Sequence, residues 1–199
     1  MALTRHDVIT GALDLADADG LDALTLRSLA TRLGVQAPTL YWHVRNKAEL
    51  LDALGDAIMD DVFDGLPASD DTVDAARWML DAAVRLRGAL LRHRDGARIV
   101  AGARASLRRA DFSEHAITML VDAGVPLAEA RLTVLAVERF TIGYVLEEQA
   151  APPDAAHQPA AEELMRRFPN VTRAVIEYFQ DGRTADDLFE DEIRLILRG

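Results

Sequence analysis

Along nearly the whole chain, apolar residues return at three- and four-residue steps, and no run alternates apolar with polar as a half-buried strand does. An all-α fold is expected. Thr4, with Asp7 three residues on, makes a capping-box-like pair and opens a first helix whose apolar face is Val8, Ile9, Ala12, Leu15 and Ala16, closed by Asp19-Gly20. Thr25 caps a short second helix with Leu26, Leu29, Ala30 and Leu33 on one side, and Gly34 supplies a left-handed stop. Pro38 opens a short third helix carrying Thr39 to Val44, since a proline in the first turn gives up no hydrogen bond. Asn46 with Glu49 starts a longer fourth helix through Leu50, Leu51, Leu54 and Ile58.

The stretch Asp64-Gly65-Leu66-Pro67 is the expected domain boundary. Beyond it the periodicity predicts helices over about 72–92, 96–103, 107–124, 126–149, 160–180 with a break at Pro169, and 184–197. A Pro/Ala-rich loop is expected over 150–159. The organisation read from this is a head over 1–46, a connecting helix over 47–66 and a larger helical domain over 67–199, with no internal repeat. A chain of 199 residues can bury a real core in such a domain.

The net charge of −11 disfavours indiscriminate binding to phosphate, but its distribution is uneven. Ala23 to Ala48 holds no Asp or Glu, while Arg27, Arg32, Arg45, Lys47 and His43 fall inside it. A small basic face on an acidic body is implied. No cysteine is present, which removes disulfides, thiolate metal sites and cysteine nucleophiles and suits a cytoplasmic address. No run stays apolar long enough to span a membrane, and the first residues lack the pattern of a secretory leader.

Two short helices joined through Leu33-Gly34-Val35 have the spacing of a helix-turn-helix, which seats its second helix in the major groove of DNA. The third helix is too short to stabilise itself, yet it carries Tyr41, Trp42, His43 and the hydroxyl of Thr39. Polar tips on so small an element suggest contact with something outside the core.

At these residues the chain resembles the TetR family of repressors, in particular its tetracycline-binding subgroup. The resemblance rests on Leu24-Thr25-Leu26-Arg27-Ser28-Leu29-Ala30, Leu33-Gly34-Val35, Pro38 to Lys47 and Leu50-Leu51-Asp52-Ala53-Leu54. It continues through Ala89 to Ala97 and Phe140 to Glu147, so it covers nearly the whole chain. The resemblance implies operator contacts from Arg27, Thr39 and Tyr41, with Thr25, His43 and Lys47 on or near phosphates. Gln36, Ala37 and Pro38 stand at the same surface, with Ala37 where tetracycline-type members carry glutamine, so one base contact is lost or displaced. A guanidinium pairs bidentately with guanine, and an ammonium at a helix start suits a phosphate. Trp42 belongs to the same run, although its bulk fits a place between helices better than a base contact.

The resemblance further implies that a small molecule enters the larger domain and shifts the two DNA heads of a dimer. Its pocket would comprise Ala82, Leu86, Val100, Ala103, Arg104, Ala116, Val134, Val137, Glu138 and Thr141, apolar with a few polar anchors. Members that bind a magnesium–tetracycline chelate carry histidines where this chain has Val100 and, at the end of the fourth helix, Val62 or Phe63. Ala82 stands in place of a hydrogen-bonding asparagine. Aliphatic groups cannot hold a hard cation, so no metal or cofactor is expected. Glu147 is either a remnant of metal binding or an exposed helical carboxylate. The expected effector is mostly apolar, with a hydrogen-bonding or anionic group. Dimerisation is expected through the helices 126–149 and 184–197, and the two-fold axis implies a palindromic operator.

An enzyme is disfavoured, because His6, His43, His93, His115 and His157 show no metal-ligand spacing and no phosphate loop or nucleophile elbow occurs. A helical ligand carrier, or an adaptor acting through protein contacts alone, is the remaining alternative.

Overall fold

The computed structural model describes residues 3–63, 66, 74–151 and 160–198. Among these there are α-helices, one short 3-10 turn and no strand, as the periodicity required. The head comprises α1 (Arg5–Asp19), the 3-10 turn Leu21–Ala23, α2 (Leu26–Arg32) and α3 (Ala37–Leu40). Local chemistry sets its boundaries. The Asp7 amide donates to the Thr4 hydroxyl at 3.1 Å and the Thr4 amide to the Asp7 carboxylate at 2.8 Å, a complete capping box. Thr25 does the same with Ser28, at 3.0 and 2.9 Å. Gly34 has φ +66°, and the Val35 amide turns back to the Ala30 carbonyl at 3.0 Å, the left-handed ending that glycine allows without a Cβ penalty.

The third helix differs from expectation. It ends at Leu40, after four residues, and Tyr41 to His43 continue as turns with His43 and Val44 amides bonded to the Leu40 carbonyl at 2.9 Å. No side chain caps α3 at Gln36, and only Leu40 and Val44 of this stretch are buried, so little holds a longer helix in place.

Next come α4 (Lys47–Phe63), α5 (Ala75–Leu91), α6 (Gly96–Gly102), α7 (Leu107–Asp122) and α8 (Leu127–Glu148). Asn46 accepts the Glu49 amide at 2.9 Å and Glu49 accepts the Arg45 amide at 2.8 Å, the cap pair anticipated for α4. Of the expected boundary Asp64 to Pro67, only Leu66 lies among the described residues, and most of the 150–159 loop lies outside them.

Packing divides the chain into two compact units, Met1–Gln149 and Ala150–Gly199. In the first, α4 packs against α1, α5, α6 and α7, while α8 lies against α5, α6 and α7. The α4–α6 crossing is close at Gly55, where an added Cβ would stand 2.4 Å from the Ala103 Cβ. Asp52 accepts the Ala105 amide at 2.9 Å and Asp56 accepts the Ser106 hydroxyl at 2.6 Å, fastening the end of α6 and the start of α7 to α4.

The second unit contains α9 (Ala161–Arg167), α10 (Pro169–Phe179) and α11 (Ala185–Arg198). Pro169 sits in the first turn of α10 and marks the predicted break. The Tyr178 hydroxyl donates to Asp191 at 2.9 Å, tying α10 to α11.

Candidate functional site

On the head, α2 begins beside the exposed Thr25 and Arg27, and α3 follows with Gln36 and Pro38 exposed and Ala37 and Thr39 half-buried. Tyr41 is 55% exposed and Trp42 88% exposed, with His43 half-buried and Lys47 exposed at the start of α4. Trp42 therefore does not fill a space between helices. Leu40 and Val44 take that role, and because α3 gives way to a turn, the indole is left outside. Among the described residues, Arg27, Arg32, Arg45 and Lys47 share no ion pair with a carboxylate. On the helical body, by contrast, Arg92 pairs with Asp61 at 2.9 Å, Arg98 with Asp22 at 2.7 Å and Arg108 with Asp60 at 2.5 Å. The head thus presents uncommitted cations and aromatic rings on an otherwise acidic molecule, a surface suited to phosphates and base edges.

The head is joined to the body through the turn between α5 and α6. Asp95 accepts the Leu21 amide at 2.7 Å, Asp17 accepts the Arg94 amide at 2.9 Å and faces His93 Nδ1 at 3.0 Å, and Arg98 reaches both Asp22 and Asp95. Gln149, just past α8, donates to the Leu90 and His93 carbonyls at 3.1 and 2.7 Å and so steadies the same turn. Sequence spacing gives no sign of this joint.

Burial works against the Asp95 carboxylate, but hydrogen bonds from the Leu21 amide and the Arg98 guanidinium outweigh it and hold its pKa below the ordinary aspartate value. A depressed pKa gives stability that is full above the unfolded-state value and lost as pH falls through the folded one. The joint is therefore expected to loosen below about pH 4, where an unperturbed aspartate is half protonated and the lowered value in the fold is approached. Hydrogen exchange checks it: protection of the Leu21 amide should fall with acid and become insensitive to pH in Asp95→Asn. Unchanged protection down to about pH 3 would contradict it.

Of the expected effector-site residues, Ala82 and Leu86 on α5, Val100 on α6, Ala103 after it, Ala116 on α7 and Val134, Val137, Glu138 and Thr141 on α8 are all buried. Thr141 is satisfied within α8, its hydroxyl donating to the Val137 carbonyl at 2.8 Å. Arg104 and Glu147 are exposed in the single chain, so neither lies in this core. Phe63 is half-buried, edge-on to Phe112 at 6.3 Å, and lines an open cleft of about 330 Å³ with Arg108, Asp111, Glu114, His115 and Thr118.

The residue that sequence reasoning missed is Arg109. Its Nε donates to the buried carboxylate of Glu138, and its Nη1 reaches the Val100 carbonyl at 3.4 Å. A signal existed: Arg109 stands three residues before Phe112 and seven before Ala116, on the buried face of α7. The donor set offers nothing to a hard cation at Val100 or Phe63, and among the described residues no group of three or more His, Asp or Glu side chains is placed to hold a metal.

Two family descriptions match the chain: "Bacterial regulatory proteins, tetR family" over residues 8–54 and "Tetracyclin repressor-like, C-terminal domain" over residues 67–199. The chain belongs to the TetR family. It is a transcriptional regulator of the kind that binds DNA through an N-terminal helix-turn-helix and responds to ligands. It is 39% identical over 198 residues to the class A tetracycline repressor protein of transposon 1721 from Escherichia coli, covering 99% of this chain and 90% of the relative. Among solved structures it is similar to the TetR-Q116A variant from Acinetobacter baumannii in complex with minocycline, with a TM-score of 0.79, 33% identity, and 99% and 92% of the two chains covered. It is also similar to BioQ from Mycobacterium smegmatis, with a TM-score of 0.74, 26% identity, and 99% and 97% covered, and to BioQ solved with its natural double-stranded DNA operator, with a TM-score of 0.66, 27% identity, and 88% and 97% covered. No helix among the described residues is long and apolar enough to cross a membrane.

Proposed function

We propose that the chain is a homodimeric one-component repressor that binds a palindromic operator and is released by a small-molecule effector. The observation that carries this reading is the uncommitted cationic and aromatic end of the head, Arg27, Tyr41, Trp42 and Lys47, on a protein of net charge −11. Arg27, Thr39 and Tyr41 touch the operator, with Arg27 at a base edge, Thr25, His43 and Lys47 lie on or near phosphates, and Gln36, Ala37, Pro38 and Trp42 complete the surface. Residues 1–46 form the DNA head, 47–66 the connecting helix and 67–199 the effector and dimerisation domain. The dimer uses α8 and α11, whose Leu132 and Leu195 are 67% and 65% exposed in the single chain. The effector is mostly apolar, and its binding does not depend on magnesium, because Val100 and Phe63 supply no metal donor.

Fluorescence anisotropy on DNA from the protein's own promoter tests the reading. Arg27→Ala should weaken operator binding by about 1–3 kcal/mol and relax base preference at one position. Lys47→Ala should weaken all sequences alike and reduce the salt slope by about 1. Trp42→Ala should also weaken binding while leaving stability within about 0.5 kcal/mol, as an exposed side chain away from the core does. A protein acting only through other proteins would show none of these losses.

A further inference from the structure

We propose that Glu138 is the polar anchor of the effector site and selects a cationic, mostly apolar ligand, with Arg109 occupying that anchor in the unliganded chain. The inference rests on the reading of the α5–α8 core as the effector site and adds the ligand's charge.

Glu138 is the one charged residue among the buried side chains described. It shares a face of α8 with Val134, Val137 and Thr141, at the i, i+3, i+4, i+7 spacing, and all four are buried. A carboxylate in such surroundings needs a cation beside it, since alone it loses its water without compensation. Arg109 meets that need from α7, and the two partners are unequally held. The Glu138 side chain is 4% exposed and that of Arg109 25% exposed, and the guanidinium's further contact, to the Val100 carbonyl, is long at 3.4 Å. The arginine can turn out to water; the glutamate cannot.

This asymmetry sets the sign of the ligand's charge. An anion would have to draw Arg109 away and strand a buried carboxylate. A neutral molecule can hydrogen-bond to the pair but brings no charge to take the place of Arg109. An ammonium or amidinium on an apolar body replaces Arg109 at Glu138, and the freed guanidinium is rehydrated at the rim. The surrounding Val100, Ala103, Ala116, Val134 and Val137 favour an apolar remainder.

The test uses the full chain and two probes of one shape and opposite charge, 4-phenylbutylammonium and 4-phenylbutyrate, followed by calorimetric titration and thermal unfolding. The ammonium is expected to bind and raise the melting temperature, and the carboxylate is not. Glu138→Gln, which keeps size and hydrogen bonding but not charge, should weaken ammonium binding about tenfold or more. Arg109→Gln should strengthen it, if folded, by removing the resident competitor. Phenylbutyrate binding that disappears in Arg109→Gln would overturn the proposal in favour of an anion site, and binding of neither probe, or ammonium binding indifferent to Glu138→Gln, would also overturn it. Operator binding by the same samples separates the two levels: intact DNA binding without ammonium binding refutes only this inference, whereas absent DNA binding refutes the repressor reading beneath it.

Discussion

Gly96→Ala is expected to lower the stability of the folded chain by about 3 kcal/mol, the upper end of what overpacking a tight core costs. A Cβ at this position would lie 2.1 Å from the Leu90 carbonyl oxygen and 2.9 Å from its carbon, so the obstacle is backbone and cannot swing aside. Leu90 is fully buried, and its carbonyl also accepts the Gln149 side chain at 3.1 Å, so α5 and the end of α8 must yield together. The neighbouring Asp95 holds the Leu21 amide, and the displacement should reach the head and weaken operator binding as well. Gly88→Ala is the internal control: nothing lies within 4 Å of its added methyl, it is inside α5, and stability should rise by about 0.4–1 kcal/mol. Urea unfolding of both variants decides the matter. A Gly96→Ala chain within about 0.5 kcal/mol of the parent would show that the α5–α6 turn is looser than its geometry implies.

Arg109→Met should be comparably severe, costing about 3 kcal/mol. Removing one partner of a buried ion pair typically costs about 3–5 kcal/mol, and the partial exposure of Arg109 places this case at the lower end. The loss comes from the carboxylate left behind. The double variant Arg109→Met, Glu138→Leu should therefore recover most of the stability, because an apolar pair of similar volume requires no desolvation of charge. A double-mutant cycle in urea measures this coupling. A double variant as unstable as Arg109→Met alone would mean that the arginine's stem, not its charge, holds α7 against α8.

The all-helical class and most helix limits were legible because the information is local. Thr4 with Asp7, Thr25 with Ser28, and Asn46 with Glu49 settle helix starts within three residues, and Gly34 settles an ending through its own φ. The basic window was legible too, since no acid falls over Ala23 to Ala48 and Arg27, Arg32, Arg45 and Lys47 share no ion pair with a carboxylate among the described residues. Periodicity overreached at α3, where it could not register that a turn after Leu40 would carry Trp42 outward. The resemblance likewise placed Arg104 among the pocket residues, although in the fold it faces solvent.

What the sequence by itself determined is the helical class, the caps and the DNA-binding head, because each depends on residues within about one or two helical turns of one another. Only the tertiary structure decided that Arg109 meets Glu138, that Asp95 holds Leu21, and that Gly96 must lack a side chain. Those contacts join residues 29 and 74 positions apart, or press one backbone against another. They are set by how helices cross, and a crossing distance leaves no period in the sequence.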